Sequence, residues 1–170
     1  QSFSVWSIDG PAVSGVFTIK TREVTRLFAL KSAQSTLQGL PKILTNHLQE
    51  TVQVEVNGVL CASQDRAMSL PAAPGYLRAS LNFQCKASLG HTAHRLQVDS
   101  FFKVAPSHVH YARLTTNSDA ATEYLFTDAV RQQTLKSSDL AASHSTYHSV
   151  KQYAVMGVAH IFGGLDHIAF

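Results

Sequence analysis

Three ionisable side chains near the end of the chain are the first candidates for chemistry. In residues 157–170, GVAHIFGGLDHIAF, the side chains of His160, Asp166 and His167 interrupt a run that is otherwise apolar or glycine. Imidazole and carboxylate groups suit a borderline divalent metal ion. Ionisable groups in such a segment are costly unless they line a polar path or bind an ion. The pattern therefore makes these three residues candidates for contact with a metal ion.

Helical geometry limits what these residues can do by themselves. His160 and His167 are seven residues apart, which brings them nearly onto one helix face but about 10 Å apart along the axis. Asp166 points about 100° away from His167. We therefore expect no tightly bound metal ion in this chain and expect further ligands from other helices. The alternative is an amphipathic helix packed on the domain, with its histidines simply hydrogen-bonded.

The apolar run that surrounds these residues predicts a membrane segment. It extends from Ala154 to Phe170, slightly less than the ~20 residues that a helix needs to cross a bilayer. We expect it to be the beginning of a transmembrane helix. The chain starts at Gln1, and its two methionines are Met68 and Met156. We also expect that a leader has been removed, as a cleaved secretory signal would be, although another chain boundary would look the same.

The elements before this run are predicted to be mainly strands. Residues 12–20 and 76–85 alternate apolar and polar side chains, which is typical of half-buried strands. Residues 52–61 also alternate and contain Asn57-Gly58, a strong signal for a two-residue hairpin loop. Short alternating strands separated by turns indicate an antiparallel β-sandwich. Further strand candidates are HRLQVDSFF, HVHYARLTT and EYLFTDAV.

Two segments have helical spacing instead. TREVTRLFAL and LPKILTNHLQE place apolar residues at steps of three and four, so one or two short helices are predicted to cover an end of the sandwich. We divide the chain into a β-sandwich domain over 1–136, a linker and helix start over 137–150, and the beginning of a transmembrane helix over 151–170.

The two cysteines, Cys61 and Cys85, can be placed by the alternation of the strands. If Asn57-Gly58 is a two-residue loop, Cys61 lies opposite Val54 and points to the same face as the valines around it. Cys85 shares the face of the apolar residues in its own strand. Both thiols then point into the core, and an exported chain meets an oxidising compartment. A disulfide is predicted, and the alternative is two buried free cysteines.

Composition excludes some function classes. The chain of 170 residues has a formal net charge of +3, and its lysines and arginines form no cluster, which argues against a nucleic-acid partner. We find none of the motifs typical of hydrolases or phosphate-binding loops, so no enzymatic activity is predicted. Nine histidines make metal binding worth testing. For three further pairs we expect solvent-exposed polar residues rather than ligands: His91 with His94, His108 with His110, and His144 with His148.

The terminal segment resembles the opening of the first transmembrane helix in the HupE/UreJ family of membrane proteins. The family motif His-x5-Asp-His is matched by His160, the intervening IFGGL, Asp166 and His167. The flanking residues Gly157, Ile161, Gly164 and Phe170 fit as well. The position before the first histidine, often Glu in the family, is Ala159 here. The start QSFSVWSIDG with VFTIKTREVTRL also resembles the mature N-terminus of longer family members.

This resemblance implies a periplasmic β-domain followed by several helices in the bacterial inner membrane, with residues 1 to about 150 in the periplasm and the signal peptide removed. It also implies nickel or cobalt supply, with the ion transported rather than tightly bound. A second hypothesis is a structural or interaction subunit of a larger membrane complex, anchored by its C-terminal helix. A third is a binding sandwich whose terminal helix is only a lid.

Overall fold

A computed structural model gives the fold of residues 1–31, 39–86, 93–115 and 121–136. They lie in the first of the two units into which the chain divides, Gln1–Ser137. The fold of this part is mainly β, as the alternating patterns predict. Its elements are β1 (Ser2–Asp9), β2 (Ala12–Lys20), α1 (Thr21–Lys31), α2 (Leu40–Thr51), β3 (Val52–Val56), β4 (Val59–Leu60), β5 (Ala62–Ser63), β6 (Met68–Leu70), β7 (Tyr76–Gln84), β8 (Ala93–Val98), β9 (His110–Thr115), β10 (Ala121–Phe126) and β11 (Gln132–Lys136).

The strands form two sheets. The larger has the order β10-β9-β1-β2-β7-β5, with β6 also paired to β7, and the smaller has the order β11-β8-β3-β4. Strand β1 pairs in parallel with β9, and the other described pairs are antiparallel. The first strand therefore lies inside the larger sheet, between its hairpin partner and a strand from the far end of the domain.

Side chains from both sheets meet in one core. Trp6 and Phe17 come from the larger sheet, Val54 and Leu96 from the smaller, and Leu48 from α2, and all five belong to a single buried cluster. Alternation explains this arrangement, because every second residue of a strand points to the same face. The predicted β-sandwich is confirmed.

Both predicted helices are present. Helix α1 follows β2 directly and buries Val24 and Leu27, while α2 leads directly into β3. Pro41 occupies the first turn of α2, where its missing N–H group costs nothing because that donor has no partner within the helix. The buried side of α2 carries Ile43, Leu44 and Leu48, at the spacing that the sequence pattern indicates.

The predicted disulfide between Cys61 and Cys85 is present. Asn57 and Gly58 have positive φ values, 50° and 80°. A tight two-residue hairpin loop of this type requires a positive φ at both of its central residues. The hairpin register continues to Cys61, whose N–H group donates to the carbonyl oxygen of Val54 at 2.8 Å. The bond closes a sequence separation of 24 residues, and a crosslink of that length stabilises a fold by about 3 kcal/mol through the unfolded chain.

Some predictions need adjustment. Strand β9 begins at His110, because the segment before it turns, and β8 ends at Val98. Strands β1, β5, β6 and β11 have no counterpart among the predicted strands. The predicted C-terminal helix and the linker before it lie outside the described residues. Within the part of the chain that the structure describes, no helix is long and apolar enough to span a membrane.

Candidate functional site

The predicted metal-contacting residues His160, Asp166 and His167 lie outside the described residues, and their role stays a prediction. The same holds for His91 and for the pair His144 and His148. In residues 1–31, 39–86, 93–115 and 121–136, no group of three or more His, Cys, Asp and Glu side chains is arranged to hold a metal ion.

The described histidines give an unexpected result. His94 and His108 are 4% exposed and His110 is 1% exposed, so the expectation of solvent-exposed side chains is wrong for all three. For His110 the reason lies in the alternation of β9, where it shares its face with the buried residues Ala112 and Leu114. That alternation is visible in the sequence and was the signal that could have placed His110 in the core.

Two of these histidines belong to a continuous hydrogen-bonded set with the first strand. The parallel register sets Ser2 beside His110. Ser2 Oγ lies 2.8 Å from His108 Nε2 and 2.7 Å from His110 Nδ1. Ser4 Oγ lies 2.8 Å from His110 Nε2 and accepts from Trp6 Nε1 at 2.8 Å. We name these five residues, Trp6, Ser4, His110, Ser2 and His108, the His–Ser network.

Trp6 Nε1 can only donate, and a serine oxygen can accept two hydrogen bonds, so the remaining directions are assigned by giving each serine proton an acceptor. Ser4 Oγ accepts that hydrogen bond, and in the described structure the acceptor for its own proton is His110 Nε2. His110 therefore carries its proton on Nδ1 and donates to Ser2, which in turn donates to His108 Nε2. His108 then carries its proton on Nδ1. This requirement assigns one set of tautomers with both rings neutral, in which the Nδ1–H group of His108 has no hydrogen-bond acceptor among the described residues.

Glu23 of α1 lies at the outer end of the His–Ser network. Its Oε2 is 3.8 Å from His108 Nδ1, the nitrogen that carries the proton. The Glu23 side chain is itself buried and also contacts Arg26, at 3.2 Å, and Arg22, at 3.6 Å. The Gln1 amino group lies 3.8 Å from its other oxygen. A buried carboxylate with several cationic neighbours thus links the network to the first helix.

Aromatic rings enclose the two imidazoles. His110 stacks on Phe17 at 5.2 Å between ring centroids and meets Phe126 at 5.7 Å, while His108 stacks on Phe101 at 5.2 Å. Burial in this apolar surrounding disfavours the charged imidazolium. It lowers the pKa of His110 to about 3 and that of His108 to about 4, the nearby Glu23 partly opposing the shift at His108. Both rings are neutral near pH 7.

The order Ser2, His108, Glu23 matches that of a nucleophile, its base and an orienting acid. Ser2, however, is 5% exposed, and its hydroxyl is already shared between two imidazoles. An attacking hydroxyl needs room for a substrate carbonyl beside it. The geometry therefore favours a network that holds protons in place and joins β1 to β9.

A small cavity of about 280 Å³ lies between the end of α2 and the turn after β8. Two of its charged groups are paired with each other, because Arg131 donates to Asp99 at 3.3 Å. Phe101 has a φ of 69°, unusual for a bulky residue, and its N–H group donates to His47 Nε2 at 3.2 Å. Since Phe101 also stacks on His108, this strained turn connects the cavity to the network. The cavity is lined by His47, Glu50, Thr51, Asp99, Phe101, Lys103, Val104 and Arg131.

A comparison of the sequence with models of known protein families gives no match, and a search of curated proteins gives none either. The resemblance to the HupE/UreJ family therefore depends on the residues that carry it, above all His160, Asp166 and His167.

Proposed function

We propose that the chain is the extracytoplasmic β-sandwich domain, with the start of the first membrane helix, of a HupE/UreJ-like membrane protein of the bacterial inner membrane. In this proposal the protein moves nickel or cobalt ions or supplies them to a metalloenzyme, and the chain itself has no enzymatic activity. The metal ion is the substrate and is handed on rather than retained.

The observation that carries the proposal is the spacing of His160, Asp166 and His167 within an apolar run. Two imidazoles and a carboxylate offer nitrogen and oxygen ligands that suit nickel and cobalt. Such groups are rare in apolar segments because of their desolvation cost, and those that occur usually line an ion pathway. An incomplete ligand set also fits a transported ion, since an ion in a complete and rigid site would leave slowly.

The disulfide supports the compartment in this proposal. Cys61 and Cys85 are joined, and disulfides persist in oxidising compartments such as the periplasm. Cys85 is buried in the core, so the bond belongs to the folded sandwich. An extracytoplasmic location of residues 1 to about 150 agrees with this bond.

The test is metal uptake by cells that carry the full-length protein. The variants are His160→Ala, Asp166→Asn and His167→Ala, each checked for membrane insertion, with radioactive nickel and cobalt as probes. We expect each variant to lower the initial uptake rate by about tenfold or more, the usual size of such effects at metal sites. His144→Ala is the matched control, because it removes an imidazole that lies before the apolar run, and it should leave uptake unchanged.

Normal uptake in all three inserted variants would refute the transport proposal. A second candidate, a structural or interaction subunit of a membrane complex, would then take its place. One observation favours it: the segment around the disulfide exposes large apolar side chains, with Val59 49%, Leu60 58% and Met68 54% exposed. Charged replacements at Leu60 and Met68 would then release partner subunits during purification, whereas under the transport proposal they would leave uptake intact.

A further inference from the structure

The His–Ser network crosses the seam between β1 and β9. Its serines lie on β1, and His110 is the first residue of β9. Backbone hydrogen bonds join the two strands along the register from Ser2–His110 to Ser7–Thr115. Because β9 pairs with β10 on its other side, this seam separates the β9–β10 pair from the hairpin of β1 and β2. Whatever weakens the network weakens that seam.

Protonation of either histidine conflicts with the direction of the hydrogen bonds. With the assigned tautomers, a second proton on His110 goes to Nε2, which lies 2.8 Å from Ser4 Oγ and otherwise accepts its proton. A second proton on His108 must go to Nε2, which accepts the hydroxyl proton of Ser2. In each case the serine hydroxyl must rotate to accept instead of donating, and its proton loses its acceptor within the described structure. A buried donor without an acceptor destabilises the folded state.

The charged groups around the imidazoles do not relieve this conflict equally. From α1, Glu23 faces His108 at 3.8 Å and so opposes its positive charge, although Arg22 and Arg26 already contact the same carboxylate. The Gln1 amino group adds positive charge from the start of β1. His110 has His108 as its titrating neighbour, with phenyl rings from β2 and β10 on its faces. On the α2 side, His47 accepts a hydrogen bond from the Phe101 N–H group, and the Phe101 ring stacks on His108.

We propose that the His–Ser network is an acid-sensitive latch, which holds β9 and β10 against β1 at neutral pH and releases that seam when His110 and His108 take up protons. The latch stands apart from the proposed metal pathway and concerns the sandwich alone. Its sign follows from proton linkage. Histidines in an opened seam recover their ordinary affinity for protons, while those in the closed seam bind protons only at lower pH, so falling pH favours opening.

The pH range in which the latch responds is set by the histidine pKa values in the open and in the closed seam. The ordinary histidine pKa is 6.5, and the closed network lowers it to about 4 at His108 and about 3 at His110. Above about pH 7.5 both rings are neutral whether the seam is closed or open, and no stabilisation depends on pH. Between pH 6.5 and pH 5 the opening equilibrium should rise by roughly 15-fold for each histidine that is exposed.

Trp6 is an intrinsic fluorescence probe of the network. It is the one tryptophan in the sequence, and its indole N–H group donates to Ser4. The experiment follows Trp6 emission of the full chain in mild detergent from pH 8 to pH 3. We expect constant emission above about pH 7.5, and a reversible red shift at lower pH. The variants His110→Gln and His108→Gln keep a hydrogen-bond acceptor but remove the titrating ring, and each should lower the midpoint by at least half a pH unit.

His94→Gln is the matched control. His94 is as buried as His108 and burial lowers its pKa too, but it lies on β8, outside the network. We expect it to leave the Trp6 midpoint unchanged. An equal shift in all three variants would indicate general acid unfolding and would overturn the latch, as would unchanged midpoints in both network variants.

Hydrogen exchange of the unaltered chain tests the latch even if a variant does not fold. After correction for the intrinsic pH dependence of exchange, amides of β9 and β10 should lose protection between pH 7 and pH 5. Amides of β3 and β8, which belong to the other sheet, should keep theirs. Loss of protection in all strands together, or in none, would refute the proposal.

Discussion

Replacing Gly15 with alanine places a methyl group against the indole ring of Trp6. Gly15 lies opposite Trp6 in the register of β1 and β2, and a Cβ atom at this position would approach three ring carbons of Trp6 at 2.7, 2.7 and 2.8 Å. Ordinary carbon contacts are about 3.5–4.0 Å, so the ring must move by nearly an ångström. The glycine is therefore required by the space that Trp6 occupies.

The ring has little freedom to move. It meets Phe17 edge-on at 5.7 Å, stacks with Phe83 at 6.3 Å, and donates its N–H group to Ser4. Overpacking a core of this kind costs about 1–3 kcal/mol, partly offset by about 0.5 kcal/mol from the lower entropy of the unfolded alanine variant. We expect Gly15→Ala to lower the free energy of unfolding by about 2 kcal/mol, which moves a urea midpoint by roughly 1 M.

A double-mutant cycle separates the clash from other effects of the substitution. Trp6→Phe removes the outer part of the indole ring, so Gly15→Ala made in that background should cost less than about 0.5 kcal/mol by the same packing argument. Circular dichroism during urea unfolding measures all four proteins without need of the tryptophan. If alanine costs the same with Phe or Trp at position 6, the close approach to Trp6 is not the cause and the reasoning fails.

Three further predictions concern other parts of the sandwich. Replacing Cys61 and Cys85 with serine should lower the free energy of unfolding by about 3 kcal/mol, and non-reducing mass spectrometry should find the native chain two hydrogens lighter than its reduced form; two alkylatable thiols would contradict this. Glu23→Gln removes the charge that raises the pKa of His108, so an NMR titration should give a lower midpoint, and a higher one would refute the assigned contact. Gly58→Ala should cost about 1 kcal/mol, since Gly58 holds a φ of 80° that an alanine adopts only with strain. Thermal unfolding would measure this cost, and an unchanged melting temperature would contradict the requirement for glycine.

Local patterns accounted for much of the fold. Strand β7 and strand β2 alternate cleanly, and the helices have apolar residues at helical spacing, because each pattern records one buried face. The disulfide could be predicted because Asn57-Gly58 fixes the hairpin register and the register fixes the direction of Cys61. Strands β1 and β11 were missed because their core faces carry few apolar residues. In β1 two of the buried residues are Ser2 and Ser4, and in β11 Leu135 is the one core residue among glutamines and threonine.

The His–Ser network could not be predicted from such patterns. Ser2 and His110 are joined by a parallel pairing across 108 positions, and no local signal records which distant strands become neighbours. His108 and His110 also look polar in a sequence, whereas the structure buries them by giving each nitrogen of His110 a hydroxyl partner. Burial of a polar ring depends on such partners, and the partners come from tertiary structure.

The place of β1 within the larger sheet has a consequence for the order of folding. Its hairpin with β2 is local and can form as soon as residues 2–20 are available, but its other edge pairs with β9, whose first residue is His110. Until β9 has been synthesised, this edge of β1 has no strand to pair with. An unpaired strand edge can form hydrogen bonds with other chains. Pairing over such a distance in sequence is slow because the intervening loop must first close. Closing this seam should therefore be the late step of folding, and an emerging chain will need protection at β1 until most of the domain has been made.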